Sequence, residues 1–336
     1  MIHLLSKPSL KIVGLFFCLV LFLFSLALSL FIGKTPIPLH VTIEAIFQYD
    51  PTSTEHLIIM SSRVTRTIIA ALVGGALAIA GLFMQALTRN PLAEPGIFGV
   101  NAGAVFFVVL FIFLFPARSL VEYMWAAFFG AGLAATMIYF LGSTGKAGLS
   151  PVKVVLAGAA VTAMFGSVTS GLLILNENGL QDVLFWMAGS VAGRTLDMVV
   201  PLLPFLLAAL ILGFFLTHHL NILTSGEDVA KGLGQNTVLI KALTVVVIVV
   251  LAGGAVAICG AIGFVGLIIP HIARYLVGTD HRWLLPYCAL LGASLLLIAD
   301  LGARLIVMPA DMPIGVMTAI LGTPFFIYIA RKGFRS

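Results

Sequence analysis

GAIGFVGLIIPHIARYLVGTDHRWLLP, residues 260–286, decides what kind of protein this is. A glycine-studded apolar stretch runs into Pro270-His271, breaks at a short charged turn, and gives way to a second apolar stretch. A helix on the surface of a soluble core keeps a polar face, and residues 260–270 offer none. A strand of a membrane barrel would alternate apolar and polar residues, and this run does not. The stretch therefore reads as two membrane-spanning helices joined by a turn.

The rest of the chain agrees. Its 336 residues are 61% hydrophobic and only 9% charged, with a mean hydropathy of +1.16. Soluble domains carry about 25% charged residues, so most of this chain belongs in lipid. At about 20 residues per span the length holds about ten helices in one bundle. Apolar stretches fall near 12–32, 62–87, 97–115, 121–141, 152–175, 198–217, 237–258, 260–278, 283–303 and 313–330. A shorter apolar piece near 183–192 is too brief to cross and suits a re-entrant or interfacial helix. The first stretch, preceded by Lys7 and Lys11, is longer than the roughly 7–15 residue core of a signal peptide. It reads as a retained span, although Ala27-Leu28-Ser29 makes a weak cleavage site. The expected fold class is an all-α integral membrane protein, residues 1–336 forming one transmembrane domain.

Ten spans put both termini on one side of the membrane. Both are basic (Lys7 and Lys11; Arg331, Lys332 and Arg335), which makes that side cytoplasmic. On this layout the cytoplasmic side receives 12 of the 18 Lys and Arg residues and the outer side 6. The two-to-one bias supports the orientation.

Several function classes drop out. A formal charge of +5 with no basic stripe beyond the membrane ends gives no nucleic-acid surface. Cys18, Cys259 and Cys288 lack CxxC spacing and read as buried free thiols. No histidine has partners at metal-ligand spacing, so neither a metal nor a cofactor is expected. GSTGK (142–146) looks like a nucleotide-binding loop but fails the pattern. Phe140 stands where the first glycine is needed, and Ala147 replaces the Ser/Thr that holds magnesium. ATP, if used, must bind another subunit. The apolar centres lack an obvious acid, with Asp300 and Glu122 near span ends, which argues against an ion-coupled secondary transporter. Glycines within the spans (Gly74, Gly75, Gly81, Gly260, Gly263, Gly266) read as close helix packing.

Two polar features remain. Arg63 and Arg66, at i,i+3, share a helix face at the entrance to the second span, and Arg304 lies at the outer end of the ninth. They suit either interfacial snorkelling or docking, and Arg304 can also pair with Asp300 at i,i+4. The segment 218–236, HHLNILTSGEDVAKGLGQN, reads as two short helices joined at Ser225-Gly226, with Glu227 and Asp228 in the first turn of the second. It is either a solvated connector or a surface for a soluble partner.

These residues carry a resemblance. Arg63-x-x-Arg66, GLFMQALTRNPLAEPGIFGVNAGA (81–104), FWMAGS (185–190), SGEDVAKGLG (225–234), GAIGFVGLIIPHIAR (260–274), GTDHRWLLP (278–286), ADLGAR (299–304) and MPIGVMTAILGTPFFIYI (312–329) resemble the permease subunits of ATP-binding-cassette importers for iron–siderophores, haem and cobalamin. RNPLA followed by GFVGLxxPH is the most specific part. The resemblance implies the type II importer fold, with ten helices per subunit. It also implies a second permease subunit, identical or paralogous, two cytoplasmic ATP-binding subunits, and an external substrate-binding protein or lipoprotein, all at a bacterial cell membrane. By the same resemblance, Arg63, Arg66 and Arg304 meet acids on the binding protein. Gly226, Glu227, Ala230 and Gly234, within the coupling segment 218–236, seat in the ATPase cleft. An inner gate aligns with Pro151 and Val152, where the family's small hydroxyl residues are absent. Val64-Thr65 also departs from a proline between the arginines, and Asp311-Met312-Pro313 from Glu-Leu-Pro. The expected cargo is an iron(III)–siderophore complex, with haem and cobalamin as alternatives, and the chain itself is not an enzyme.

Overall fold

A computed structural model describes residues 4–115, 119–144, 151–175, 186–308 and 310–333, and among them there are helices and no strand. The first apolar run is α1 (Pro8–Phe31), followed by two short helices, α2 (Leu39–Phe47) and α3 (Thr54–Ile58). A π-helical turn, Ile59–Val64, leads from α3 into α4 (Thr65–Thr88). Then come α5 (Val100–Leu114), α6 (Leu120–Ser143) and α7 (Pro151–Leu175). A single turn, α8 (Leu196–Val199), precedes α9 (Leu203–Thr224) and the short α10 (Glu227–Gly232). The chain closes with α11 (Thr237–Cys259), α12 (Val265–Val277), α13 (His281–Ile306) and α14 (Ile314–Gly333). Seven of these units are long and apolar enough to cross a bilayer, and α5, α12 and α14 are shorter apolar helices. Each of the ten apolar runs thus becomes a helix.

Two boundaries differ from the sequence reading. The sixth span is not 198–217 but α9, which starts at Leu203 with Pro204 in its first turn and runs on through the polar HHLNILT. Buried Leu216, Leu220 and Leu223 continue its apolar face at helical spacing, so the segment 218–236 contains one separate short helix, α10, rather than two. The eighth span begins at Val265 because residues 260–264 leave the helix, with Gly260 at φ +76° and Phe264 at φ +69°. The 13 residues of α12 rise only about 20 Å, short of the roughly 30 Å apolar layer.

Non-helical backbone at such a depth survives only where protein satisfies it or water reaches it. Here neighbours satisfy it. The Ser190 amide donates to the Cys259 carbonyl (2.7 Å) and the Gly315 amide to the Gly189 carbonyl (3.1 Å). The Phe264 amide, at the start of α12, donates to Glu94 Oε1 (2.7 Å). Four irregular segments therefore close on one another between the helices.

The core is built on α4 and α11. In the most apolar stretch of the α3–α4 unit 78% of residues are buried, and in α11 72%, against 17% in α1. Close approach needs glycine at two crossings. A methyl group on Gly74 would strike the Gly292 carbonyl of α13, and one on Gly81 would strike the Gly266 backbone of α12. Where α12 ends and α13 begins, the Leu4 and Leu5 amides donate to the Tyr275 and Leu276 carbonyls, and Tyr287 Oη donates to the Lys11 carbonyl (2.6 Å). The start of α1 thus shares one face of the molecule with α10, while the end of α1 lies on the face that carries Arg66. Pro270 lies buried inside α12, and the His271 ring meets Phe325 edge-on at 5.8 Å, so the Pro-His pair is a packing feature.

Candidate functional site: an arginine cleft and the short helix α10 at opposite faces

The end of α1 creates the demand that organises the arginine cleft. The last carbonyls of a helix lack intrahelical partners and carry partial negative charge. Arg63, held in the π-helical turn, donates Nη1 to the Leu30 and Phe31 carbonyls (3.1 and 3.0 Å) and Nη2 to the Thr35 carbonyl (2.5 Å). Arg304 donates Nη1 to the Ser29 carbonyl (2.9 Å) and Nη2 to Ser29 Oγ (3.1 Å). Both guanidinium groups cap α1, and both are nearly enclosed, at 4% and 3% exposure. The Ser29 hydroxyl also meets Thr67 Oγ1 at 2.8 Å, which ties α1 to α4.

Asp300 binds the group together. It is fully buried, accepts Arg304 Nε at 2.7 Å, and accepts Arg66 Nη2 at 2.7 Å. The i,i+4 pair between Arg304 and Asp300 read from the sequence is therefore present, and Arg66 joins it from α4. Arg66 also reaches a second acid, Asp311, with Nη1 to Oδ1 at 3.3 Å, and Lys34 Nζ approaches Asp311 Oδ2 at 3.2 Å. Burial pushes the Asp311 carboxyl up, but Arg66 and Lys34 outweigh it and hold the group below the usual carboxylate range. Together Arg63, Arg66, Arg304, Lys34 and Asp311 line a cleft of about 170 Å³. Four cations against Asp300 and Asp311 leave a net charge of +2. Among the described residues Arg63 has no carboxylate within ion-pair distance, and Arg66 Nε is buried with no hydrogen-bond partner.

The opposite face carries the second group. Gly226, at φ +138°, turns the chain from α9 into α10, a backbone setting that suits glycine. Glu227 opens α10 and pairs with Lys241 of α11 (2.6 Å) and Lys231 (3.3 Å). The hydrogen bond from Lys241 is the largest influence on the Glu227 carboxyl, and with the charge of Lys241 and the contacts of Lys231 it outweighs burial and holds the group below the usual range. Ala230 is fully buried, and Gly234, at φ +78°, closes the helix with its amide on the Lys231 carbonyl (2.9 Å). Val229 and Leu233 remain exposed, at 51% and 68%, which gives α10 an apolar outer surface.

Sequence reasoning missed how α10 is anchored. Asn221, one turn before it, donates Nδ2 to Asp280 Oδ1 (2.7 Å) and accepts the His281 amide on Oδ1 (2.9 Å). Arg89, at the end of α4, donates to the Leu223 carbonyl (2.9 Å), and Arg282 meets His218 Nδ1 at 2.8 Å. Arg274 turns inward to Gln85, and His281 is 5% exposed, so these two residues brace helices. Glu94 was missed as well, because a single acid in the Leu-Ala-Glu-Pro turn gives no periodic signal. Of the gate pair, Pro151 opens α7 with its side chain outside the described residues, and Val152 is 67% exposed. Among the described residues no group of three or more His, Cys, Asp or Glu is placed to hold a metal.

Known proteins share this architecture. The family model of the FecCD transport family matches residues 20–332. The Bacillus subtilis (strain 168) protein named "Probable siderophore transport system permease protein YfiZ" is 49% identical over 98% of both chains. The ferric enterobactin transport system permease protein FepD of Escherichia coli (strain K12) is 42% identical over 94% of this chain and 93% of its own. A solved inward-facing structure of a metal-chelate type ABC transporter superposes with a TM-score of 0.83 at 30% identity, covering 95% of this chain and 98% of that one. With the ten apolar helices and the glycine-paired crossings already in place, the chain belongs to the FecCD transport family and has the type II importer permease fold.

Proposed function

We propose that this chain is the permease subunit of an ABC importer that carries iron(III)–siderophore complexes into the cytoplasm. The observation that carries this reading is the near full-length likeness to permeases named for siderophore and ferric enterobactin transport. Permeases of this family are not catalytic, and ATP is hydrolysed on two separate ATP-binding subunits. A second permease subunit completes the pathway, and a binding protein delivers cargo. In this reading the Arg66 face is outer and both termini and α10 are cytoplasmic, an orientation supported by the basic ends of the chain.

In this cycle a loaded binding protein docks on the cleft of Arg63, Arg66 and Arg304. The net charge of +2 steers its acids and fixes orientation. Arg63 and Arg304 are enclosed, so they act there through charge, while Arg66 and Lys34 supply reachable donors. Inside, Gly226 sets the direction of α10, Glu227 locks it to α11, Ala230 is its buried face, and Gly234 ends it. The exposed Val229 and Leu233 enter the ATPase cleft. Pro151 and Val152 stand at the inner mouth. ATP-driven motion of α10 then shifts packed helices to alternate access.

Reconstitution tests the reading. Vesicles holding the assembled complex should take up one ferric siderophore from a panel only when binding protein and ATP are both present. Uptake without ATP would mark an ion-coupled carrier and overturn the proposal. Uptake of haem or cobalamin alone would reassign the cargo. Lys34→Glu, at the partly exposed rim of the cleft, should weaken stimulation by the binding protein while insertion and ATPase assembly persist.

A further inference from the structure

The two acids in the cleft are not equivalent. Asp300 is fully buried between Arg66 and Arg304 and belongs to the fold. Asp311 is 34% exposed, its Arg66 contact is longer (3.3 against 2.7 Å), and its other partner, Lys34, is itself 32% exposed. Arg66 meanwhile keeps Nε buried and unbonded, beside an open cleft with surplus positive charge. Nη2 is committed to the buried Asp300, so the exchangeable contact is that of Nη1, which among the described residues reaches only the partly exposed Asp311.

We propose that Asp311 is a displaceable counter-ion: a carboxylate from the docked binding protein replaces it on Arg66 and Lys34. This rests on the docking reading given above. The exchange conserves ion pairs, one weak contact giving way to another, so it needs little net energy and responds to the concentration of the incoming acid. Its consequence follows from where Asp311 sits. The turn at 310–313 leads directly into α14, and the Met312 amide holds the Ala303 carbonyl of α13 at 3.4 Å. Two residues after Pro313, the Gly315 amide bonds the Gly189 carbonyl, and a side chain at Gly315 would strike the Ala188 and Ala261 carbonyls. Releasing Asp311 therefore loosens the start of α14 where it packs against the irregular segments between the helices. Docking outside would be reported to the interior through this turn.

The test measures binding-protein affinity and basal ATP hydrolysis for the assembled complex in lipid nanodiscs, with wild type, Asp311→Asn, Asp311→Ser and Asp311→Glu. Removing the competing acid should tighten binding by about threefold. It should also raise hydrolysis without binding protein toward the stimulated level, and Asp311→Glu should restore wild-type behaviour. A brace would behave in the opposite way. Unchanged or weaker binding by the neutral variants overturns the proposal. So does failure of both to assemble, because an acid the fold cannot lose is not displaceable. If the wild-type complex binds no binding protein at all, the docking reading itself fails, a result distinct from tight wild-type binding that Asp311 variants leave unmoved.

Discussion

Replacing Asp300 by asparagine should damage the protein more than any other single change on the Arg66 face. The carboxylate is fully buried and serves two cations, Arg66 Nη2 and Arg304 Nε, each at 2.7 Å. Asparagine fills the same volume but removes the charge, and its amide turns a donor toward one of two donors. Arg66 retains Asp311, whereas Arg304, at 3% exposure, retains only Ser29. An exposed ion pair lost in this way costs about 0–1 kcal/mol, but breaking a buried pair and stranding its partner costs about 3–5 kcal/mol. The enclosure of Asp300 and Arg304 selects the second figure. At roughly 2 °C per kcal/mol for a chain of this size, the thermal midpoint of the purified complex should fall by about 6–10 °C. Adding Arg304→Met to Asp300→Asn should recover part of the loss, since the stranded charge is then gone. A midpoint within about 1 °C of wild type for Asp300→Asn alone would refute the assignment of a buried charge network.

Gly74→Val should prevent assembly, because the new methyls meet the Gly292 carbonyl, while Gly132→Val, with open space around it, should assemble normally; detergent gel filtration separates the two. Glu94→Ala strands the Phe264 amide and should cost about 1–3 kcal/mol, whereas Glu94→Gln keeps an acceptor there and should cost less, read from thermal midpoints. Asn221→Ala should lower the uptake obtained per ATP hydrolysed in vesicles more than it lowers ATPase assembly, since it cuts α9 from Asp280 and His281. Glu227→Gln should lower stimulated hydrolysis with a definite pH signature. The folded carboxyl titrates below its ordinary 4.5, so its stabilising contribution is complete above that value and fades as pH falls through the lowered one. Wild type and variant should therefore differ by a constant amount from pH 6 to 8 and converge only in acid, as followed by thermal midpoints across pH.

The helices were legible because lipid demands long apolar runs, and nothing else in such a chain competes with that signal. Runs such as 237–258 and 283–303 land within a few residues of α11 and α13. Residues 260–264 were not legible as a break, since glycine in a membrane run signals close packing as readily as an unwound turn. The end of α9 was hidden by its polarity: His218 and His219 look like loop residues until Leu216, Leu220 and Leu223 are seen buried on the other side. At the site, spacing placed Arg63 and Arg66 on one face, but it could not show that Arg63 is spent on α1 carbonyls while Arg66 bridges two acids. Those partners lie up to 245 residues away in the chain. Asp311 and Asn221 carried no local pattern, because a lone polar residue in a short turn acquires meaning only from what the fold brings to it.

If the cleft and α10 work together as proposed, α13 is the helix that joins them, because it carries polar ties at both faces. Its first turn receives Asn221 through Asp280 and His281, next to α10. Its last turns carry Asp300 and Arg304 in the arginine cleft. Between them Gly292 meets Gly74 of α4 backbone to backbone. At 1.5 Å per residue, Gly292 lies about 17 Å from His281 and about 18 Å from Arg304, close to the middle of the helix. A backbone-to-backbone contact flanked by Ala78 and Leu296 holds the two helices close at this point, so α13 can tilt about it only by small amounts. A rigid helix held at such a midpoint moves its two ends by similar amounts in opposite directions. A displacement of α10, passed through Asn221, would therefore reach Asp300 with little loss, and a change in the charges around Arg66 would return along the same path. The reciprocity is thermodynamic as well as mechanical. If docking at the cleft favours one tilt of α13, then α10 held in that tilt must favour docking by the same factor.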